Sequence, residues 1–291
     1  MPTIADLPIG AKLKFGAYSV SGETPHKICW VKAHRDGTIL SEFIEEQCAF
    51  DVKEPDNPDE DCRTYGNNRC SLSNVQQFLN AEDYGWFHAT HEYDRAPEAR
   101  MTHNRQQGYN NKPGFLYYFE SWEIDAIDET EVKTALPKRD ILPDGEKHET
   151  FYAKVFMPSN NNMGAGGVNG VLEGDTWDLF ERGASRVCRF SRELFENVQE
   201  NKPEYVEEGW YYHLRSPRNN KSWSGCILYD GDDGASYPHD DSVGVRPALK
   251  LSPKAIISDE PDGDGYYVVL SAPQEIIEIN EEEFFEILKK M

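Results

Sequence analysis

A chain of 291 residues with 38% hydrophobic and 28% charged residues is long enough to bury one large core or two small ones. Lys and Arg number 30 against 52 Asp and Glu, a net charge of −22 that repels phosphate backbones and anionic lipid surfaces, so nucleic acid is not an expected partner. No run approaches the roughly 18 apolar residues of a membrane helix, and "MPTIADLPIGAKLKFG" has Asp6 and Pro8 where a secretory signal needs unbroken apolar sequence; assembly in the cytoplasm, without membrane insertion, is expected.

Between residues 12 and 50 the runs "KLKFGAYSV", "HKICWVKAH" and "GTILSEF" read as an antiparallel meander with a hairpin turn at Asp36-Gly37. "DVKEPDNPDEDCRTYGNN" is rich in Pro, Asp and Asn and predicts a surface loop. Ser71 or Ser73 then caps a helix "NVQQFLNAE", with Val75, Phe78 and Leu79 on one face. Residues 81 to 115 form a long polar and aromatic loop, a length that in a compact chain points to an interaction surface as well as to a solvated connector. "SWEIDAIDETEVKTAL" predicts a helix stopped by Pro137, and "FYAKVFMPS" an alternating strand.

The glycines of "NNNMGAGGVNGVLEGD" lack the G-x-x-x-x-G-K pattern of a nucleotide loop, so a flexible hairpin or surface loop is expected. Two short helices follow, in "WDLFERGASRVCRF" and in "SRELFENVQEN" before Pro203. Next come the aromatic strand "GWYYHLRSP", the strand and acidic turn "SWSGCILYDGDDG", then "SVGVRPALKL". Residues 253–291 read as a separate C-terminal portion: strands "YYVVL" and "EIIEI", then a short amphipathic helix capped by Asn280, which must dock on its own domain or on a partner subunit. The six cysteines form no C-x-x-C pair; reduced thiols are expected and a zinc site is not.

"WYYHLRSP", the "DGDDG" turn and "GVRPALKL" together resemble the closing signature of DUF6273, a domain family of unknown function common in phages and prophages of Gram-positive bacteria and in some of their surface proteins. "KICWVKAH", "SLSNVQQFLNAE" and "KVFMPS" stand in the order of that family's earlier elements, so the resemblance runs over residues 25 to 251. It implies an α+β, C-type-lectin-like fold for residues 1–252, in which short antiparallel strands and two or more helices support long irregular loops. Trp210, Leu214, Arg215, Ser216, Pro217, Gly244, Arg246 and Pro247 are its signature residues. A guanidinium has five donors and stays charged, so Arg215 and Arg246 are expected to act as internal staples for backbone carbonyls rather than to hold a ligand. Formylglycine-generating relatives use a close cysteine pair; Cys226 stands alone and Cys188 is distant, so that oxidase chemistry is not expected.

No nucleophile elbow marks a hydrolase, and a glycosidase pair cannot be picked from 52 acids without geometry. His88, His91 and His103, with Glu92 and Asp94, offer metal-ligating groups without a helical frame, so a solvated loop is the expected state. No cofactor is expected; calcium is the one ion that Asp230, Asp232 and Asp233 would suit, although the turn lacks the distal Glu of a calcium loop. Binding remains. Trp86, His88, His91, Tyr93 and Trp223 are the candidate ligand residues, with Trp86 and Trp223 facing outward and Trp210 in the core. The expected protein is a non-enzymatic phage virion component, for decoration or host attachment. It would homo-oligomerise in the particle, contact other virion proteins, and bind a host surface glycan or protein. The alternatives are a carbohydrate-active enzyme using the same loop face, or a bacterial interaction module.

Overall fold

The computed structural model describes residues 1–22, 24–105, 108–199, 209–218 and 222–271. The alternating apolar pattern at the start of the chain gives β1 (Lys12–Tyr18), β2 (His26–Lys32) and β3 (Thr38–Ser41), which pair antiparallel with Leu13 opposite Trp30 and Trp30 opposite Ser41. Leu13, Phe15, Ile28 and Trp30 are buried, and the Trp30 indole donates to the Phe15 carbonyl at 2.8 Å. Asp36 makes the turn by accepting from the Thr38 N–H at 3.0 Å.

The chain continues through β4 (Glu46–Gln47), α1 (Glu60–Tyr65), α2 (Asn74–Leu79), α3 (Ser121–Asp125), β5 (Thr130–Ala135), β6 (His148–Ala153) and β7 (Val155–Phe156). There follow α4 (Asp178–Glu181), α5 (Arg192–Gln199), β8 (Tyr212–Pro217), β9 (Ser224–Ile227), β10 (Asp233–Ser236), β11 (Gly244–Val245), β12 (Ala248–Lys250), β13 (Ile256–Ile257) and β14 (Tyr267–Ser271). The fold is mixed α/β and mostly strands. One sheet has the order β13-β14-β1-β2-β3-β12-β7, a second β10-β9-β8-β11-β4, and β5 and β6 form a hairpin of their own. Pairing is antiparallel except for β1 with β14 and β8 with β11. A single buried cluster contains Leu13, Ile39 and Leu249 of the first sheet and Tyr212, Leu214 and Ile227 of the second, so one core serves both. β14 lies beside β1, so the strands after residue 253 complete the sheet with which the chain begins. The expected strand "EIIEI" and the helix after Asn280 lie outside the described residues.

Several expectations change. The Pro and Asp rich segment holds α1: Asp59 accepts from the Cys62 N–H at 2.9 Å, and Glu60 and Asp61 suit the positive end of the helix. α1 ends at Gly66, which has φ +86, and a Cβ there would lie 2.7 Å from the Asp51 carbonyl oxygen and 2.8 Å from that of Val52. Gly66→Ala is therefore expected to lower stability by about 1–3 kcal/mol, read as a fall in the urea midpoint; an unchanged midpoint would show that this corner yields freely. The expected long helix at residue 121 stops at Asp125. Beyond it Thr130, Val132 and Thr134 alternate on one face of β5, all six of whose residues pair with β6, and the β-branched side chains follow that partner. The expected strand "FYAKVFMPS" turns a corner instead, because Asn80 of α2 accepts from the N–H groups of Lys154 and Val155 at 2.9 and 3.1 Å. Asn160, Asn161 and Asn162, expected in a flexible loop, are buried.

Candidate functional site

Those asparagines are buried because β8 ends beside them. Arg215 is 3% exposed and spends its donors on protein: Nε on the Lys133 carbonyl at 3.0 Å, Nη1 on the Met157 carbonyl and Asn162 Oδ1 at 2.8 Å each, and Nη2 on the Glu173 carbonyl at 2.6 Å. The buried Glu173 carboxylate accepts from the Ala135 N–H at 2.9 Å and from the hydroxyls of Thr134 and Ser216. Leu214 is buried in the common core, and β8 terminates at Pro217. Arg246 is also buried, donating to the Ser41 carbonyl at 2.9 Å and to the Tyr212 hydroxyl at 3.2 Å. Gly244 admits no side chain, since a Cβ would sit 2.6 Å from Ile44, and the Pro247 carbonyl accepts from Ser41. The two arginines thus tie the sheets together from within. Trp210 is half-buried rather than central: it stacks on Tyr211 at the core's edge, and its Nε1 donates to the Ser242 carbonyl at 2.8 Å.

The acidic turn is occupied by its own chain. Asp230 accepts from the Asp232 N–H at 3.0 Å, and Asp233 pairs with Arg218 at 2.9 Å. Among the described residues no three of His, Cys, Asp and Glu gather into a set that would hold a metal ion. His91 Nε2 instead lies 3.3 Å from the Glu54 carboxylate, which raises its pKa against the opposing effect of burial, while His103 packs edge-on against His239. All six cysteines are free thiols.

The long loop builds a groove of about 640 Å³ between the end of α2 and the 3-10 turn Phe115–Tyr118, lined in part by Glu82, Asp83, Tyr84, Trp86, His88 and Tyr117. Backbone bonds fix its walls: the Leu116 N–H to the Ala81 carbonyl and the Gly114 N–H to the Asp83 carbonyl, both at 3.0 Å. Gln77 clamps the other side, accepting from the His88 N–H at 2.8 Å and donating to the His88 carbonyl at 2.7 Å. Tyr84 and Tyr117, 53% and 41% exposed, meet edge to face at 5.0 Å.

Trp86 does not face outward. It is 4% exposed, stacked on Tyr109 at 5.5 Å and against Phe78 at 5.6 Å, because so large a ring gains more from the α2 surface than from water. Its Nε1 has no hydrogen-bond partner. Of the five candidate ligand residues, Trp86 and His88 line the groove. His91 and Tyr93 stand outside its lining, and Trp223 is half-buried against Tyr237 in a separate ring cluster with Tyr65. Tyr84 sits within the loop stretch "YGWFHATHEY" that carries four of these residues, whereas nothing local marks Tyr117 as its partner.

A second cleft, about 740 Å³, lies between the start of β2 and α5 and is lined by His26, Glu45, Phe190 and Phe195 among others. Glu45, 1% exposed, accepts from Ser41 Oγ at 3.1 Å and lies 3.1 Å from His26 Nε2. Burial opposes charge on His26, but the hydrogen bond and charge of Glu45 outweigh it and raise the pKa. Other charges of this cleft are paired as well, Lys27 with Glu123 and Arg192 with Glu196.

No curated protein and no solved structure matches the chain. One family model does match, that of a domain of unknown function, DUF6273, over residues 38–253. That span is most of the chain and holds β3 through β12, including the Arg215 cradle and the aromatic groove, so the chain belongs to the DUF6273 family.

Proposed function

We propose that the chain is a non-enzymatic binding component of a phage particle, engaging a host surface saccharide through the groove of residues 82–88 and Tyr117. The observation that carries this reading is the pair of exposed rings, Tyr84 and Tyr117, set beside carboxylates on walls held by backbone hydrogen bonds. Flat aromatic faces with nearby polar groups suit the alternating apolar and hydroxyl faces of a sugar, and a fixed loop keeps the ordering cost of binding low. The particle context rests on the resemblance carried by "WYYHLRSP" and "GVRPALKL" to phage and prophage proteins. The C-type-lectin-like assignment belongs to the same proposal, supported by short antiparallel strands presenting long loops.

Binding to a glycan array is the test. A saccharide retained by the parent protein is expected to bind at least about tenfold more weakly to the Tyr84→Ala/Tyr117→Ala variant, with thermal unfolding little changed because both rings are largely exposed. Binding that survives the double change would remove the groove from the proposal. Turnover of the bound glycan, lost on changing Glu82 or Asp83 alone, would replace the binding role by an enzymatic one. Purified particles that lack the chain would end the virion assignment.

A further inference from the structure

We propose that the cleft between β2 and α5 seats the chain's own C-terminal segment, residues 272–291, which lies outside the described residues. The cleft shares no lining residue with the aromatic groove, so the proposal stands apart from the saccharide reading. Its apolar floor is the first observation. Phe43 and Phe195 are half-buried in the lining, beside the core residue Phe190. The sheet surface leading to the cleft is also apolar. Lys14 of β1 stands opposite Val268 on one flank and Cys29 on the other, so Val268, Cys29 and, two residues along β14, Leu270 share one face. It is the face turned away from the buried Leu13 and Trp30; Val268 and Cys29 are half-buried on it and Leu270 is 49% exposed.

The path of the chain selects the occupant. β14 runs parallel to β1 and β2 antiparallel to it, so β14 ends at Ser271 on the side of the sheet where β2 begins at His26. Cys29 of the cleft lining is two strand spacings from Val268, about 10 Å. Residues 272–280 can span about 30 Å when extended, so everything beyond Asn280 reaches the cleft with slack. There Phe284, Ile287, Leu288 and Met291 fall at i, i+3, i+4 and i+7, an apolar stripe that a short helix has to bury in order to form. Charge points the same way. Glu282, Glu283 and Glu286 flank the stripe, whereas the cleft presents Lys27, Arg189 and Arg192 against Glu45 and Glu193, a local positive excess in a protein of net charge −22. Arg189 is exposed and, among the described residues, its side chain forms no ion pair. A tether this short holds the segment at an effective concentration of the order of millimolar, which favours the chain's own cleft over that of a second copy.

Photocrosslinking of the full chain tests this. Arg192, exposed on the rim of the cleft, is replaced by benzoylphenylalanine, and equal amounts of ordinary and heavy-isotope protein are mixed at micromolar concentration before irradiation. The expected adducts join α5 to residues 281–291 in peptides of a single isotope, and Phe284→Asp/Leu288→Asp is expected to lower their yield at least about tenfold. A second readout needs no crosslinker: amide hydrogen exchange across residues 26–30 and 188–198 is expected to be faster in the Phe284→Asp/Leu288→Asp variant than in the parent, since the segment no longer shields the cleft. Adducts that join unlike isotopes would give the cleft to a second copy. Adducts to other parts of the chain, or exchange indifferent to the two aspartates, would leave the C-terminal segment elsewhere. Each of these results would overturn the proposal.

Discussion

Arg215→Ala is expected to leave no soluble, folded protein. The substitution removes donors from the carbonyls of Lys133, Met157 and Glu173 and from Asn162 Oδ1, all at a site 3% exposed to water. Each buried acceptor left without a donor costs about 1–3 kcal/mol. The loss also leaves the buried Glu173 carboxylate without its nearby positive charge, which adds to the cost. Against a total stability of about 5–15 kcal/mol these costs are comparable to the whole. The acceptors come from the β5 hairpin, the end of β7 and the glycine-rich loop, so the guanidinium ties three otherwise separate segments to β8.

Arg215→Lys makes the test graded. An ammonium carries the charge but directs its hydrogens from one nitrogen, so it cannot reach acceptors spread around a planar fork. The lysine variant is expected to fold with stability lowered by about 3 kcal/mol, measured by urea unfolding. A lysine variant within about 0.5 kcal/mol of the parent, together with a stable alanine variant that had merely lost ligand binding, would move Arg215 from the scaffold to the binding surface.

How much of this was legible in the sequence depends on the range over which each feature is decided. The β1–β2–β3 meander and the Ser73-capped α2 are specified by neighbours a few residues apart, and they form where the apolar alternation and the capping serine indicate. Arg215 could be read as buried from its apolar flanks, but its acceptors stand 42 to 82 residues away, so the partners were not legible. The same distance hid the asparagines at 160–162, whose polar, glycine-flanked sequence looks solvated until the guanidinium is in place. Val132 sits on an apolar period that suits a helix equally well, and pairing with β6 makes it a strand. The groove divides in the same way. Its loop stood out as long, polar and aromatic, whereas the inward turn of Trp86 depends on Phe78 and Tyr109, and the exposed ring pair depends on bringing Tyr117 back to Tyr84.

Acid is expected to destabilise the protein through a histidine that no local pattern marks. His213 on β8 is fully buried, beside Phe50, and its Nε2 lies 3.1 Å from the Cys48 carbonyl while Nδ1 has no hydrogen-bond partner. That arrangement suits a neutral ring donating through Nε2. Burial lowers the pKa from 6.5 to about 4, with the hydrogen bond to Cys48 opposing. Between those values the unfolded chain binds a proton that the folded one refuses, so stability is fully present above pH 6.5 and is lost as the pH falls toward 4. The loss comes to about 3 kcal/mol. His239, also lowered to about 4, chiefly by burial and then by the positive charges of Lys53 and His103, adds to the same slope. His26 and His91, whose pKa values are raised, act in another window: their stabilisation is complete below 6.5 and declines as the pH rises through their folded values. Burial and the charge of Glu54 raise the pKa of Asp51, which opposes the acid slope of the two histidines. The comparison that isolates the histidine is His213→Gln, which keeps a donor for the Cys48 carbonyl but cannot titrate. Urea unfolding of parent and variant at about pH 7 and about pH 4.5 is expected to show the parent losing about 2–3 kcal/mol more than the variant across the interval. Parallel losses would mean that the His213 ring accepts its proton within the fold, through rearrangement of the β8 core around it.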